Sequence, residues 1–554
     1  MMRPVAAPVT RPTRCWTTLG AVLVLALSAS CSVEPDRDPA SSPGSASGPQ
    51  AGTEHWRPAV HFTPAENWMN DPNGLVLHDG VYHLYFQYNP EGSDWGNISW
   101  GHATSTDLVH WQEQAVALEA TEAEQVFSGS IVVDVENTSG LGTTENPAFV
   151  ALYTSAYGED AVKEPGIQAQ SLAFSLDEGH TWQRYEDNPV LTLEPDSESF
   201  RDPKVVWYEE GGFWVMATVV ADAQVVKLYR SDDLLSWSWL SDFSGVGAGA
   251  LDPAILWEMP DLFPLTADDG SVHWVLLLSI NPGGVAGGSG SQYFVGQFDG
   301  TVFTPYDDAP GADPDDVLWL DHGADFYAAT TFSGDPPDGA VIVGWMSNWD
   351  YADAVPTAPW RGGTAIPRRL ALEARDGAAP LLVSSIAPVA RTALESSSST
   401  VTVDDTTVDD STADEGTVAL PASPCAPVQL IDLRLEPGEA QRAGLVLHGS
   451  ADGERGARLV YDADAGTLTF DRSGAGTSVS PTFAAEHVAQ VHPVGQSPGL
   501  DLTVLVDRSS VEVFADGGRT TITDLALPDP GDTCTSLFAE GGAATFTSMT
   551  VSTA

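Results

Sequence analysis

From Trp68 onward the chain repeats one arrangement of apolar and polar positions. "DPNGLVLHDGVYHLYFQYN" from Asp71 reads as an apolar strand, an Asp-Gly turn and an aromatic strand, and "DPKVVWYEEGGFWVMATVV" from Asp202 has the same layout. "EMPDLFPLTADDGSVHWVLLLSI" from Glu258 repeats it with a longer turn, "ADFYAATTFSGDPPDGAVIVGWMS" from Ala324 is a further copy, and "FSGSIVVDVENTSGLGTTENPAFVALYTSA" from Phe127 is a looser one. Between them recur "STDLVHW", "SLDEGHTW" and "SDDLLSW", Ser/Asp turns closed by tryptophan. Units of roughly sixty residues, five in all, predict a five-bladed β-propeller, since radial repetition of four-stranded sheets leaves only short edges. No stretch sustains a helical period.

The pattern changes after Trp360. All seventeen tryptophans lie at or before that residue. Beyond the Ser/Thr/Asp-rich run "ESSSSTVTVDDTTVDDSTADEG" come short alternating segments such as "ARLVYDADAGTLTFDRS", which predict antiparallel strands and a C-terminal β-sandwich. The expected spans are 56–375 for the propeller and 376–554 for a linker and the sandwich. Residues 1–31 read as a signal peptide: arginines at 3, 11 and 14, the apolar "LGAVLVLAL", and small residues before Cys31. Cys31 is in the position of a lipidated lipoprotein cysteine, the alternative being free secretion. Residues 32–55, rich in Ser, Pro, Gly and Ala, read as a tether. Cys425 and Cys534, an isolated pair in an exported chain, are expected as a disulfide.

Charge narrows the partners. Against 77 acidic residues stand 23 basic ones, a formal charge of -54, which rules against nucleic acid and anionic membrane surfaces. The balance suits solubility outside the cell, or tolerance of high salt. Membrane association is expected only through the lipid anchor.

The repeat phase then locates chemistry. In a propeller the first strand of each blade lines the axis, and Asp71, Asp202 and Glu258 occupy the same inward position in three units. Taken singly, an aspartate before proline is a turn former, and an aromatic in a strand is core. Three acidic residues at one inward phase are expected to meet. Crowded carboxylates repel, which raises at least one pKa, and a neutral and an ionised carboxyl group together are the equipment for glycoside hydrolysis. Trp68, Trp95, Trp100, Trp257 and Trp345 are candidate stacking faces for sugar rings, and Asn70, Gln87 and Arg201 candidate hydroxyl binders. A calcium site is the competing use of three acids, but the Asp-rich loop of an EF-hand is missing and no metal is expected.

"WMNDPNGL", "FRDPK" and "WEMPDLF", in this order, resemble the signature blocks of glycoside hydrolase family 32, the invertases, levanases and inulinases. "DWGNISWGHATSTDLVHW", "FSGS", "GSQYFVGQFDG", "GWMSNWDYADAVPTAPWRGGTAIPR" and "VDRSSVEVFADGGRTTITDL" extend the similarity over nearly all of residues 56–554 toward the bacterial levanase and exo-inulinase branch. The resemblance implies a five-bladed propeller followed by a β-sandwich, and release of fructose from levan, inulin or sucrose. It implies Asp71 as nucleophile, Glu258 as general acid/base and Asp202 as the stabiliser of the transition state, with the two working carboxyl groups about 5–5.5 Å apart for retention. Asn70, Gln87, Trp95, Ser128 and Arg201, with Phe127 and Trp345, match positions that line the fructose subsite. No cofactor is implied, because side chains supply both proton transfer and attack. Three departures stand out: Met259 where cysteine is common, Arg369 for the glutamate of "PREL", and Asp350 where glutamine is frequent. The first is expected to shift the pH optimum, the last to bear on substrate preference. The rival readings are a fructosyltransferase using the same residues, a non-catalytic fructan-binding lipoprotein, and a sialidase. The last would need an arginine cluster where the axial positions offer Arg201.

Overall fold

The computed structural model describes residues 54–554 except 251, 307–316, 335, 338, 376, 410–416, 421–424 and 492–497. The expected signal peptide, Cys31 and the tether as far as residue 53 lie outside the described residues. Glu54 and His55, assigned to the tether by the sequence, instead form a 3-10 turn with Trp56, whose buried indole N–H donates to the Pro528 carbonyl at 2.9 Å.

Five four-stranded antiparallel sheets succeed one another along the chain. The first comprises Asn67–His78, Val81–Asn89, Ser99–Ser105 and Gln112–Glu113, with Trp360–Arg361 added in parallel to Asn67 and Trp68. The second comprises Glu124–Asp134, Ala148–Tyr157, Gln168–Ser175 and Gln183–Arg184, and the third Phe200–Tyr208, Phe213–Val220, Val225–Ser231 and Ser238–Phe243. Leu256–Thr266, Val272–Asn281, Gly290–Phe298 and Phe303–Pro305 make the fourth; Tyr327–Thr331, Val341–Trp345, Arg368–Arg375 and Ala378–Ile386 make the fifth. The leading strands of the five sheets touch in a closed ring, which is the propeller axis. The expected division at 375/376 therefore falls inside a hairpin of the fifth blade, with Gly377 at φ +72° in its turn. The loss of tryptophan does not mark the end of the blade, because strand pairing continues to Ile386.

The three Ser/Asp/Trp turns share one device. Asp107 Oδ1 accepts the amides of Val109 and His110, and Asp233 Oδ1 those of Leu235 and Ser236. Trp111, Trp182 and Trp237 each donate their indole N–H to a carbonyl three residues back, at 3.1 Å. Each turn thus satisfies its own polar groups and delivers an aromatic ring to the seam between blades.

The helix Pro388–Ser396, with proline at its first turn and Ala390 and Leu394 buried, leads out of the fifth blade. Two sheets follow: one ordered Ser399–Val403, Ala543–Thr553, Gln429–Glu436, Leu500–Asp507, Ser510–Ala515, Thr520–Leu525; the other Thr417–Ala419, Cys534–Glu540, Arg442–Gly449, Ala457–Asp462, Thr467–Asp471, Glu486–Gln490. They enclose a continuous aliphatic core including Leu433, Leu445, Leu459, Val504 and Phe546. Cys425 and Cys534 are bonded across a sequence separation of 109 residues. Closing such a loop stabilises by about 4–5 kcal/mol on the chain-entropy model.

Propeller and sandwich meet through buried charge as well as apolar contact. Leu430, Leu505 and Phe514 join the core of the first and fifth blades. Arg368 pairs with Asp321 at 2.8 Å and with Glu512 of the sandwich at 2.6 Å. His61 bridges Asp507 and Glu512, at 2.8 Å to each, and Arg472 reaches Asp325 at 2.6 Å.

Candidate active site

Each leading strand interrupts its ladder near its start. Asn70 and Asp71 lie in the register shift opposite Gln87, and Ser128 is the extra residue of the second blade. Asp202 and Pro203 oppose Thr218, Met259 and Pro260 oppose Leu278, and Ala328 and Ala329 oppose Gly344. The bulged residues Asp202, Met259 and Ala328 have φ of +63°, +52° and +51°, a conformation that costs a residue with a Cβ about 1–3 kcal/mol. A regular strand alternates faces and would send adjacent side chains apart. The bulge re-aims them toward the axis, and proline, which lacks the ladder donor, fits the break.

Asp71 is held on both oxygens. Its Oδ1 accepts Asn70 Nδ2 at 2.9 Å; its Oδ2 accepts Ser128 Oγ at 2.7 Å and Gln87 Nε2 at 3.1 Å. Asn70 is itself fixed, donating to Gln87 Oε1 at 3.0 Å and accepting the Trp68 indole N–H at 2.8 Å. "WMND" therefore reads as a chain of support: Trp68 orients Asn70, and Asn70 orients Asp71.

Across the axis Arg201 donates to Glu258 Oε1 at 2.9 Å and lies 3.8 Å from Asp202 Oδ2. The Tyr327 hydroxyl donates to Glu258 Oε2. Asp202 is located by backbone: its amide donates to Thr154 Oγ1 at 2.9 Å, and its Oδ2 accepts the Met259 amide at 3.0 Å. One layer along the axis, Lys204 pairs with Asp261 at 3.1 Å and donates to Thr330 Oγ1, tying the third, fourth and fifth blades together.

Burial is the main cause that raises Asp71, to about 6, with the charge of Glu258 second; Ser128, Asn70 and Arg201 oppose it. Burial also raises Asp202, where Arg201 pulls down and Glu258 and Asp71 push up. These mutual effects place the three carboxyl groups in one electrostatic site. The Tyr327 hydroxyl is pushed well above its usual range by burial and then by Glu258, so it remains a donor.

The aromatic expectation needs correction. Trp68, Trp100, Trp257 and Trp345 have no exposed surface; Trp95, at 45% exposed, offers a face and packs edge-on against Phe127 at 6.1 Å. Trp100 and Trp257 fill seams between blades. Trp68 and Trp345 form a wall with Trp349, their ring centres 5.9 and 4.9 Å from that of Trp349, and Met259 packs in the same cluster. Met259 thus contributes apolar packing through its side chain and a hydrogen bond through its amide. Arg369 and Asp350 are exposed.

Thr154, Tyr327 and Trp349 escaped the sequence reading. Tyr327 had a signal, because it opens the fifth inward strand at the phase Glu258 holds in the fourth. Thr154 lies on a second strand, which the axial argument does not reach.

The chain matches the model of the glycosyl hydrolases family 32 N-terminal domain over residues 61–382 and that of the family 32 C terminal over 390–553. An extracellular exo-inulinase of Aspergillus ficuum is 41% identical over 511 residues, covering 88% of this chain and 92% of that protein. A levanase of Bacillus subtilis is 39% identical over 507 residues, covering 90% and 70%. Among solved structures, the exo-inulinase of Aspergillus awamori superposes with a TM-score of 0.81 at 37% identity, covering 90% of this chain and 98% of that one. With both family regions matched in order and the paired carboxyl groups gathered at the propeller axis, this chain belongs to glycoside hydrolase family 32.

Proposed function

We infer that the protein is an extracellular glycoside hydrolase that releases fructose from β-fructosides, among them levan, inulin and sucrose, with retention of configuration. The observation that carries this reading is Asp71, buried, held by three donors and facing Glu258 across one site. Asp71 attacks the anomeric carbon of the fructosyl unit while Glu258 protonates the departing glycosidic oxygen. Glu258 then takes a proton from water as that water displaces Asp71. Asn70, Gln87 and Ser128 fix the attacking carboxylate. Asp202 accepts from sugar hydroxyls and balances the positive charge of the oxocarbenium-like transition state. Arg201 and Tyr327 orient Glu258. Trp95 and Phe127 border the sugar, and Trp345 supports the wall.

The propeller is proposed to end at Ile386 and the sandwich to begin after the helix Pro388–Ser396. Lipid anchoring through Cys31 is proposed from the small residues before it and the Ser/Pro/Gly-rich tether after it. Its test is metabolic labelling with a radioactive fatty acid in the wild type and Cys31→Ser.

Chromatography of products from levan, inulin and sucrose, with proton NMR of the first-formed fructose, tests the activity. Free fructose in the β-configuration is expected. An α-anomer first product would overturn retention, and fructosylated sugars as the main product would assign transfer instead of hydrolysis.

A further inference from the structure

Among the described tryptophans two are more than one-third exposed, Trp95 at the catalytic pocket and Trp239, at 60%, on the outermost strand of the third blade. Trp239 is not loosely placed. Its indole N–H donates to Asp242 Oδ1 at 2.8 Å, and Lys227 holds both oxygens of that carboxylate at 3.0 and 3.1 Å. Residues 239 and 242, three apart, would face opposite sides of a regular strand. The pairing of Tyr229 with Trp239 and Leu228 with Ser241 leaves Leu240 as an extra residue, and this bulge returns Trp239 and Asp242 to one face beside Lys227.

We propose that Trp239, oriented by Asp242 and Lys227, is an auxiliary binding platform for a chain of the polymeric fructan substrate, outside the catalytic pocket. The proposal rests on the β-fructosidase reading. A flat indole with its edge N–H satisfied and its face in solvent suits the C–H face of a sugar ring, and the charged groups beside it suit hydroxyls. A protein interface would call for a larger apolar patch than one ring among charges. The net charge of -54 disfavours an acidic polysaccharide and leaves a neutral one.

The position suits a chain running from the pocket. Thr218, opposite the Asp202 bulge, pairs with Lys227, and Lys227 pairs with Asp242. Asp242 therefore lies at the carboxylate end of the blade, and Trp239, paired with Tyr229 on the row of Met216 and Val205, lies about three residues further along it. Trp239 is displaced from the Asp202 row by three inter-strand steps outward and about three residues along the strand, on the order of 18 Å in all, a span that a few sugar units bridge.

The test is Trp239→Ala in the full chain, with Trp239→Phe as the conservative variant. Electrophoresis through gels containing levan should show retardation of the wild type, its loss in Trp239→Ala and partial recovery in Trp239→Phe. KM for levan should rise about 3–10-fold, with kcat/KM for sucrose unchanged. Undiminished retardation and an unchanged KM for levan in Trp239→Ala overturn the platform. Wild-type protein that hydrolyses neither sucrose nor levan overturns the β-fructosidase reading instead, a separate outcome.

Discussion

Asp71 and Asp202 at the propeller axis, and Asp321, Asp507 and Glu512 at the seam with the sandwich, are all buried, none more than 9% exposed. Their proton affinities nevertheless move in opposite directions. At the axis burial prevails and both carboxyl groups are raised. At the seam burial pushes the same way, but Arg368 acts on Asp321 and Glu512, and His61 on Asp507 and Glu512, and all three are lowered. His61 in turn is driven to about 9 by Asp507 and Glu512, against the effect of its burial. The difference is arithmetic. This part of the seam sets Arg368 and His61 against three carboxylates, while the axis sets Arg201 against three; elsewhere on the seam Asp325, which shares Arg472 with Asp524, is raised by burial like the axial pair. Depth does not distinguish a structural charge from a reactive one; the supply of counter-charge does.

The comparison is broken most severely by removing a group from each side. Asp71→Ala should lower kcat for sucrose by on the order of 10⁴-fold, with a thermal transition no lower than wild type. Full activity in that variant would end its assignment as nucleophile. Arg368→Met leaves Asp321 and Glu512 buried without their guanidinium and should cost about 3–5 kcal/mol in denaturant unfolding. Folded variant protein should keep its acid limb near pH 6.

The pH dependence should differ in sign between the two regions. Asp71, raised in the folded state, contributes stability that is present below its unfolded pKa and lost as pH rises through about 6. Asp71→Asn should therefore stabilise the inactive protein at pH 8 by on the order of 2 kcal/mol, and a loss of stability there would contradict the burial argument. Asp321, Asp507 and Glu512, lowered in the folded state, contribute stability present above their unfolded pKa and lost in stronger acid. The His61 contribution is complete below 6.5 and disappears as pH rises through about 9. Because Asp71 attacks only when ionised, kcat/KM should fall toward tenfold per unit below pH 6. The smallest effect belongs to Tyr327→Phe, which removes one hydrogen bond to Glu258 and should lower kcat by on the order of tenfold, with sucrose KM nearly unchanged.

Much of this molecule was legible along the chain. The blades and the sandwich followed from alternation and turn residues, because a strand pairs locally through a hairpin and writes its period into consecutive positions. The trio Asp71, Asp202 and Glu258 was expected from one shared phase, but the register places Glu258 one residue before its bulge, Asp202 first in its bulge and Asp71 second, so it is the bulges, not strict equivalence, that bring the three to the axis. Tryptophan exposure did not follow. Trp95 and Trp100 each precede a glycine within one short stretch, yet Trp95 lies in the loop before the strand Ser99–Ser105 and stays in solvent, while the packing of one blade on the next buries Trp100 and Trp257. The end of the fifth blade was displaced for a related reason: composition reports the aromatic content of a seam, not the last strand of a ladder.

The sequence by itself determined where the hairpins of the blades run and turn and which acidic residues open their first strands, although the Ser/Thr/Asp-rich run also holds the strands Ser399–Val403 and Thr406–Asp409. Those properties depend on neighbours within a few positions. Tertiary structure alone decided the partners: that Tyr327 and Arg201 meet Glu258, that Thr154 receives the amide of Asp202, and that Arg368 and His61 neutralise the seam while three carboxyl groups at the axis share Arg201. Electrostatic interaction acts through space in a medium whose polarity is set by burial, so the chemistry of these groups is fixed only once distant strands are brought together.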